Sequence, residues 1–331
     1  VTTYLDREIM GPRNDAAYRG KLTQPWTGEV TVCGIVGLFL KEKELYPELG
    51  KLLTQMLLTM SDRGPDSSGI AVYSDSNKSE FSNKLTVMSG NPDTEFPLLK
   101  LELDKKLNRK IALQQKHNHG VLHLSQQELQ FVPAYIKSIL PDIRAMSKGK
   151  RIEIYKEVGL PSKVTEQFCV SAMGGSHGIG HTRMATESKV TTFGAHPFST
   201  GSDQCLVHNG SLSNHNLLRR KLSREGIEVE TDNDSEVAAA YLTWQMAKGL
   251  SLEQSLQKSL TELDGFYTFL VGTKNGFGVL RDPIACKPAV MAETQEYVAF
   301  GSEYRAFAKL PEIQSARVWE PEPATVYFWE L

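Results

Sequence analysis

The stretch Cys33-Gly34-Ile35-Val36-Gly37 places a thiol directly before a short apolar segment that predicts a β-strand. A cysteine attacks amide carbonyls as its thiolate, and at an ordinary pKa of about 8.5 roughly 3% of it is ionised at pH 7. Such a cysteine needs a base. If Cys33 were the first residue of the mature chain, its own α-amine, with a pKa of about 8, would supply that base. Taken alone, the motif is more typical of a buried strand cysteine with an inert sulfur.

The 32 residues before Cys33 are polar and rich in turn formers. They contain no apolar segment of the kind that marks a secretory signal. We therefore interpret residues 1–32 as a leader, either a propeptide removed after Val32 or the result of a start assigned too early. Either route would leave a chain that begins at Cys33 and ends at Leu331. If neither occurred, the amine of Cys33 would stay blocked.

Composition and charge argue against several classes of function. The chain has 37 basic and 39 acidic residues, so no charge excess favours nucleic acid or a membrane surface as a partner. No apolar run reaches the roughly 18 residues that a transmembrane helix requires. The four cysteines form no CxxC pair, which argues against a zinc ribbon or disulfide framework and indicates a reducing, cytoplasmic compartment. We expect small molecules and proteins as partners, and no metal.

Apolar periodicity alternates between strand-like and helical segments along the chain. Strands are predicted at 34–40, 70–73, 178–182, 204–207, 267–272, 278–280, 297–300 and 326–329. Helices are predicted at 45–60, 126–139, 216–224, 235–248 and 251–263. The dipeptide Asn275-Gly276 predicts a tight hairpin. Helices between groups of hairpin strands indicate an α+β architecture of antiparallel sheets covered by helices. A change to Lys-, Gln- and Leu-rich sequence at about 95–170 indicates an insertion within one domain, 33–331.

Five polar motifs follow one another in the order Cys33-Gly-Ile-Val-Gly, Arg63-Gly-Pro-Asp66, His181-Thr-Arg183-Met-Ala-Thr186, His208-Asn209-Gly210 and Asn233-Asp234-Ser-Glu236. Together they resemble the glutaminase domain of class II glutamine amidotransferases, which are N-terminal-nucleophile hydrolases. Towards the carboxyl end, Gly301-Ser302-Glu303 resembles a further strand of that family. The resemblance covers most of residues 33–331. It implies a four-layer αββα sandwich of antiparallel sheets.

The resemblance implies the catalytic residues of a glutaminase. Cys33 would attack the side-chain amide of L-glutamine and form a thioester, with its own α-amine as the base. Asn209 and Gly210 would form the oxyanion hole, through the side-chain amide and the backbone N–H. One such donor is worth on the order of 10²–10³ in rate. The alternative for Asn209-Gly210 is an ordinary hairpin turn.

The same resemblance implies four residues that bind the substrate. Arg183 would bind the α-carboxylate, for which a planar guanidinium is well shaped, and Asp234 would receive the α-ammonium. Thr186 would contribute a hydroxyl or a backbone contact. Arg63 would either order the site or hold its own loop to the core. The alternatives are a surface arginine at position 183 and an N-cap at Asp234 for the helix that follows.

Segments 151–161, 182–188 and 194–198 are most similar to a narrower group, the separate glutaminase-like subunit of glutamate-synthase-type systems, including N-methylglutamate synthase. This resemblance implies that ammonia passes to a separate synthase subunit carrying flavin and iron–sulfur cofactors, and that this chain holds no cofactor itself. The insertion at 95–170 is a candidate docking surface. Met184 and Glu187 stand where sugar-aminating members tend to carry Trp and His, which argues against that branch. We interpret His196 as a core or loop histidine.

Two further functions stay open from the sequence. A hydrolase of the same fold could act on another amide, and an unpaired Arg183 and Asp234 in the folded site would favour it. A subunit that only regulates or assembles a partner would apply if Cys33 never acquires a free amine.

Overall fold

The computed structural model describes residues 33–74, 79–184 and 189–331. The expected leader, 1–32, and the predicted substrate residue Thr186 lie outside the described residues. In the part that is described, no helix has both the length and the apolar character needed to cross a bilayer.

The described residues form fifteen strands and seven α-helices. The strands are β1 (Gly34–Leu40), β2 (Ser67–Tyr73), β3 (Asn83–Met88), β4 (Leu113–Lys116), β5 (His119–Leu124), β6 (Arg144–Gly149), β7 (Ile152–Val158), β8 (His177–Arg183), β9 (Cys205–Leu212), β10 (Gly265–Thr273), β11 (Gly276–Arg281), β12 (Val290–Glu293), β13 (Tyr297–Gly301), β14 (Arg317–Trp319) and β15 (Thr325–Glu330). The helices are α1 (Leu49–Leu58), α2 (Pro92–Leu107), α3 (Gln126–Ile139), α4 (Pro161–Gln167), α5 (His215–Arg224), α6 (Asp234–Ala247) and α7 (Leu252–Glu262).

Two antiparallel sheets carry the motifs singled out by the sequence. The larger has seven strands in the order β14-β12-β13-β1-β8-β2-β7, and the smaller has four in the order β15-β11-β10-β9. Strand β1 is central in the larger sheet, where Gly34 lies opposite Thr182 of β8 and Val36 lies opposite Gly301 of β13. Because β1 and β8 are buried throughout, their ends are the places where polar residues of the two strands can form a site.

The two sheets pack face to face, and helices cover both outer faces. The interface between them is apolar and includes Ile35 and Phe39 from the larger sheet, with Leu270 and Phe277 from the smaller. The rings of Phe39 and Phe277 meet edge to face, with centroids 5.8 Å apart. Helices α1 and α4 pack on the larger sheet, and α5, α6 and α7 pack on the smaller. This arrangement is the αββα sandwich that the family resemblance implies.

A third sheet, β4-β5-β3-β6, carries helices α2 and α3 and has its own apolar core. Its residues run from Asn83 to Gly149. Strand β7 follows at once, and it pairs with β2 as the edge strand of the larger sheet. The third layer therefore starts earlier than the stretch 95–170, and the end of that stretch belongs to the main sandwich.

The long periodic elements were predicted from the sequence, and the predicted hairpin at Asn275-Gly276 joins β10 to β11. Helix α3 begins with a capping box, in which Ser125 and Glu128 satisfy each other's backbone N–H groups. The sequence pattern did not predict α2, α4, β3 to β7, β12 or β14. Several of these are short, and β4 exposes its two middle residues, so that apolar alternation is weak.

Candidate active site

Cys33 stands immediately before β1 and is half-buried. The backbone that follows it is fixed by hydroxyl groups of neighbouring segments. The N–H of Gly34 donates to Thr182 Oγ1 at 3.2 Å, and the N–H of Ile35 donates to Ser302 Oγ at 2.9 Å. A Cβ at Gly34 would lie 2.8 Å from Thr182 Oγ1, so this position requires glycine. The residue that carries the thiol is thus held at a defined point of the central strand.

The carbonyl oxygen of Cys33 joins two of the predicted site residues. Asn209 Nδ2 donates to it at 3.1 Å, and Arg63 Nε donates to it at 3.4 Å. Arg63 also forms an ion pair with Glu303, which follows β13. Of the two roles considered for Arg63, the contact with Cys33 favours ordering of the site.

The thiol of Cys33 lies next to the end of β8. Its sulfur donates to the carbonyl oxygen of Met184 at 3.7 Å. Burial raises the pKa of the Cys33 thiol, and the Met184 hydrogen bond and the charge of Arg183 offset only part of this effect. A carbonyl oxygen cannot remove a proton from sulfur at neutral pH. The described surroundings therefore leave the thiol protonated, and the base has to come from elsewhere.

Asn209 and Gly210 lie inside β9, where they pair with Thr268 and Tyr267 of β10. The alternative of a hairpin turn is therefore wrong. The amide nitrogen of Asn209 has two hydrogens, of which the Cys33 carbonyl takes one, so the other can meet an oxyanion. Gly210 has a φ of +146°, and a Cβ there would lie 2.0 Å from the carbonyl oxygen of Phe266. No other residue fits this position.

Arg183 is the last residue of β8, and its side chain is buried, so it is not the surface arginine of the alternative reading. Its Nη1 donates to the carbonyl oxygen of Lys189 at 3.4 Å. Its backbone carbonyl accepts the N–H of Asp66, which anchors the Arg63 loop to the end of β8.

Asp234 is the first residue of α6 and not its N-cap, so that alternative is wrong too. The cap is Asn233, whose side chain accepts the N–H of Ser235 at 2.9 Å. Asp234 Oδ2 accepts the N–H of Leu212 at 2.9 Å, and His208 Nδ1 lies 3.7 Å from Oδ1. Burial opposes the charge of Asp234, but His208 and the Leu212 hydrogen bond outweigh it and lower its pKa to about 2. The first turn of a helix also favours a carboxylate.

Three buried imidazoles and one hydroxyl lie beneath these residues, and we call His181, His196, His208 and Ser235 the histidine cluster. His196 Nε2 and His208 Nδ1 both contact Ser235 Oγ, at 2.7 and 2.9 Å. The rings of His181 and His196 stack at 4.0 Å. Burial lowers the pKa of His181 to about 3 and that of His196 well below its ordinary value. Both rings are therefore neutral.

The structure thus brings Cys33, Arg63 and Asn209 into direct contact. Gly210 follows Asn209, and Asp234 is tied to the end of the same strand through Leu212. Arg183 follows Thr182, the residue that binds the N–H of Gly34. Sequence reasoning did not assign roles to Ser302, Glu303, His208 and Ser235. Ser302 and Glu303 belong to the Gly301-Ser302-Glu303 motif, and His208 and Ser235 belong to two of the other motifs. The sequence therefore pointed to these residues but did not predict their contacts.

Comparison with known proteins finds glutamine amidotransferases among the relatives of this chain. A family model described as a glutamine amidotransferase domain matches residues 181–309. The chain is 62% identical over 300 residues to the glutamine amidotransferase-like protein GlxB of Rhizobium meliloti, with 90% of this chain and 98% of that protein covered. It is 30% identical over 304 residues to a putative glutamine amidotransferase of Methanothermobacter thermautotrophicus, with 89% and 99% covered.

The fold is also similar to that of a solved enzyme. The structure of glutamine phosphoribosylpyrophosphate amidotransferase from B. subtilis matches with a TM-score of 0.57 and 20% identity over 90% of this chain. The match covers 47% of that structure, so this chain spans about half its length. At this level of identity the likeness concerns the fold.

Proposed function

Because this chain belongs to the class II glutamine amidotransferases, we propose that it is a glutaminase subunit that hydrolyses L-glutamine to L-glutamate and ammonia. The nucleophile is Cys33, and the ammonia passes to a separate synthase subunit of the glutamate synthase type. The observation that carries the proposal is the hydrogen bond from Asn209 Nδ2 to the carbonyl oxygen of Cys33. It supports the proposal because it holds the side-chain amide of the proposed oxyanion donor against the residue that bears the thiol.

The chemistry follows from a free α-amine on Cys33. The amine takes the proton of the thiol, and the sulfur attacks the side-chain carbonyl carbon of glutamine. The negative charge that develops on the carbonyl oxygen is met by the second hydrogen of the Asn209 amide and by the N–H of Gly210. Collapse of this intermediate returns the proton to the leaving nitrogen, so that ammonia departs and a thioester remains.

Water then cleaves the thioester by the same route. The amine removes a proton from water, the resulting hydroxide attacks the thioester carbon, and the sulfur leaves as the thiolate. The thiolate recovers the proton from the ammonium, and L-glutamate is released. One water is consumed for each glutamine, and no electron is transferred, so the reaction calls on no cofactor in this chain.

Recognition of the amino-acid end of glutamine rests on opposite charges. Asp234 is a carboxylate at neutral pH, since its pKa is about 2, and it can receive the α-ammonium. Arg183 supplies the guanidinium for the α-carboxylate. An amidase for an uncharged amide would not need this pair of opposite charges to bind its substrate.

The proposed acceptor of ammonia is a partner that carries flavin and iron–sulfur cofactors. The four cysteines of this chain are free and stand far apart in sequence, which supports placing a cluster on the partner. The third sheet, with α2 and α3, offers a layer outside the sandwich on which the partner could dock.

The test begins with intact mass or N-terminal sequencing of the protein made in its own cell, which we expect to find Cys33 as the first residue. Ammonia release from L-glutamine is then measured for the wild type and for Cys33→Ala, which should fall to the background rate. The control is Cys169→Ser, which removes an exposed thiol and should keep full activity. A Cys33→Ala protein with full activity would contradict the proposal. A chain with a free Cys33 amine that releases no ammonia, even with its partner, would identify a non-catalytic subunit.

A further inference from the structure

A cavity of about 440 Å³ lies between the third sheet and the helical side of the smaller sheet. Its walls come from α3 and β6 on one side, and from residues 193–201, 226–230 and α6 on the other. The lining includes neither Cys33 nor any other residue of the candidate active site. The volume falls within the range of small-molecule sites, roughly 300–1,000 Å³. It is therefore a second place in the molecule where a ligand would fit.

The cavity is apolar over much of its wall and contains a polar group that folding leaves unsatisfied. The apolar lining includes Ile136, Ile143, Met146, Phe193, Phe198 and Ile227. Ser147 also lines the cavity, it is buried, and its hydroxyl has no hydrogen-bond partner among the described residues. A buried hydroxyl without a hydrogen-bond partner destabilises the fold. A ligand with both a hydrocarbon body and a polar group would match this wall.

The charged residues of the lining favour an anion, because each acidic side chain already has a partner in the protein. Lys137 pairs with Glu228 at 3.1 Å and with Glu230 at 2.9 Å. Glu236 accepts the backbone N–H groups of Glu230 and Thr231.

Of the basic residues in the lining, Lys148 alone is left without an ion pair or hydrogen bond of its ammonium group within the described residues. Lys156 is buried and donates to the carbonyl oxygens of Phe193, Ala195 and Pro197 at 2.8 to 3.2 Å. Burial lowers the pKa of Lys156 to about 7, so an anion in the cavity would favour its charged form.

The same residues connect the cavity to the candidate active site. The carbonyls held by Lys156 flank His196, whose ring contacts Ser235 at the start of α6. Glu236, in the cavity wall, stands two residues after Asp234 in the first turn of that helix. A ligand that moves Lys156 or Glu236 therefore acts on the residues that position Asp234.

We propose that this cavity binds a small carboxylate with a hydrocarbon body, and that its occupancy changes the KM for glutamine. The carboxylate lies at Lys148, and the hydrocarbon lies against Phe193 and Phe198. The second half of this proposal rests on the proposed glutaminase activity, whereas the first half does not.

The binding experiment is calorimetric titration of the full chain with octanoate, and with octanamide as the uncharged probe. We expect saturable 1:1 binding of octanoate, with octanamide at least about tenfold weaker. Lys148→Ala should weaken octanoate binding about tenfold, and Ala134→Trp, which fills the cavity from α3, should abolish it. The matched control is Lys150→Ala, which removes an exposed lysine outside the lining and should change binding less than twofold.

Absence of saturable octanoate binding, or equal weakening by Lys150→Ala and Lys148→Ala, would overturn the site. The coupling is tested by the KM for glutamine, which we expect to change at least threefold with saturating octanoate in the wild type and not in Ala134→Trp. An unchanged KM with octanoate bound would overturn the coupling alone. If the chain binds octanoate but releases no ammonia from glutamine even in its absence, the proposed function is wrong and the binding site stands.

Discussion

Two histidines of the same strand show how differently the two ends of the sandwich are built. His177 begins β8 and His181 lies near its end, both are buried, and burial lowers the pKa of each to about 3. His177 uses both ring nitrogens, with Ser176 Oγ at 2.8 Å and the carbonyl of Thr273 at 2.8 Å. His181 uses only Nε2, which lies 3.1 Å from the carbonyl of His208. Among the described residues, its Nδ1 has no partner.

The surroundings of the two histidines extend the contrast. Next to His177 lies what we call the Arg151 cluster, formed by Arg151, Ser176, His177 and Asp203. Arg151 donates to the carbonyls of Ser74 and Lys274 and to Ser176 Oγ, and Asp203 accepts three consecutive backbone N–H groups, at residues 150–152. The histidine cluster, in contrast, leaves one nitrogen of each of its three rings without a partner in the described structure.

The difference indicates which polar cluster serves the fold and which serves the site. A buried polar group that is fully hydrogen-bonded contributes to stability, whereas one left unsatisfied costs free energy. The Arg151 cluster therefore stabilises one end of the sandwich. The histidine cluster is tolerated at the other end because it positions Asp234 and lies against β9, which carries the proposed oxyanion donors. Substitutions at the two ends should accordingly separate stability from activity.

The largest effect is expected at Asn209. Asn209→Ala removes the proposed side-chain oxyanion donor, so kcat for ammonia release should fall by about 10²–10³. The measurement is steady-state glutaminase kinetics. The matched control is Asn214→Ala, which removes an asparagine that bonds the backbone of Glu262 and Asp264 and should leave kcat within about twofold. A loss below tenfold at Asn209 would show that this donor does not act on the transition state.

At the opposite end, Asp203→Ala should act on stability alone. Three backbone N–H groups lose their acceptor, so the free energy of unfolding should fall by about 3 kcal/mol, measured by urea denaturation. Under native conditions kcat should stay within twofold of the wild type. A large loss of kcat with an unchanged midpoint of unfolding would contradict the division between the two ends.

A smaller effect is expected from replacing each histidine of β8 by phenylalanine. His177→Phe leaves Ser176 and Thr273 without their partner and should destabilise by about 2 kcal/mol, whereas His181→Phe should cost about 1 kcal/mol. The kinetic order should be reversed, with the KM for glutamine raised several-fold by His181→Phe and unchanged by His177→Phe. If the two substitutions had equal effects on the free energy of unfolding and on the KM for glutamine, the two histidines would not differ in role.

The same residues show how much of the fold and of the site can be predicted from the sequence. Cys33, Asn209 and Gly210 could be proposed as site residues because their motifs are short and contiguous, and the sandwich was predicted from apolar periodicity and the resemblance. The contacts within the histidine cluster were not predicted, because His196, between β8 and β9, and Ser235, in α6, stand 39 residues apart and only the tertiary fold brings them together. Asp234 was placed correctly at the start of a helix, but whether Asn233 or Asp234 caps that helix depends on backbone angles that no pattern specifies.

The smallest effect concerns acid stability, and it tests what the two histidines share. Each has a pKa of about 3 in the folded protein and about 6.5 when unfolded, so between these values only the unfolded chain binds the proton. Stability therefore falls as the pH falls through this window, by at most about 1.4 kcal/mol per pH unit for each buried histidine. Both His177→Phe and His181→Phe should make this fall shallower by the same amount between pH 6 and pH 5, as measured by urea unfolding. Burial sets the pKa of both rings, whereas hydrogen bonding sets their unequal contributions to stability at neutral pH. If only one variant changed the slope, the two rings would differ in protonation as well as in partners, and the contrast between the ends of β8 would have an electrostatic origin.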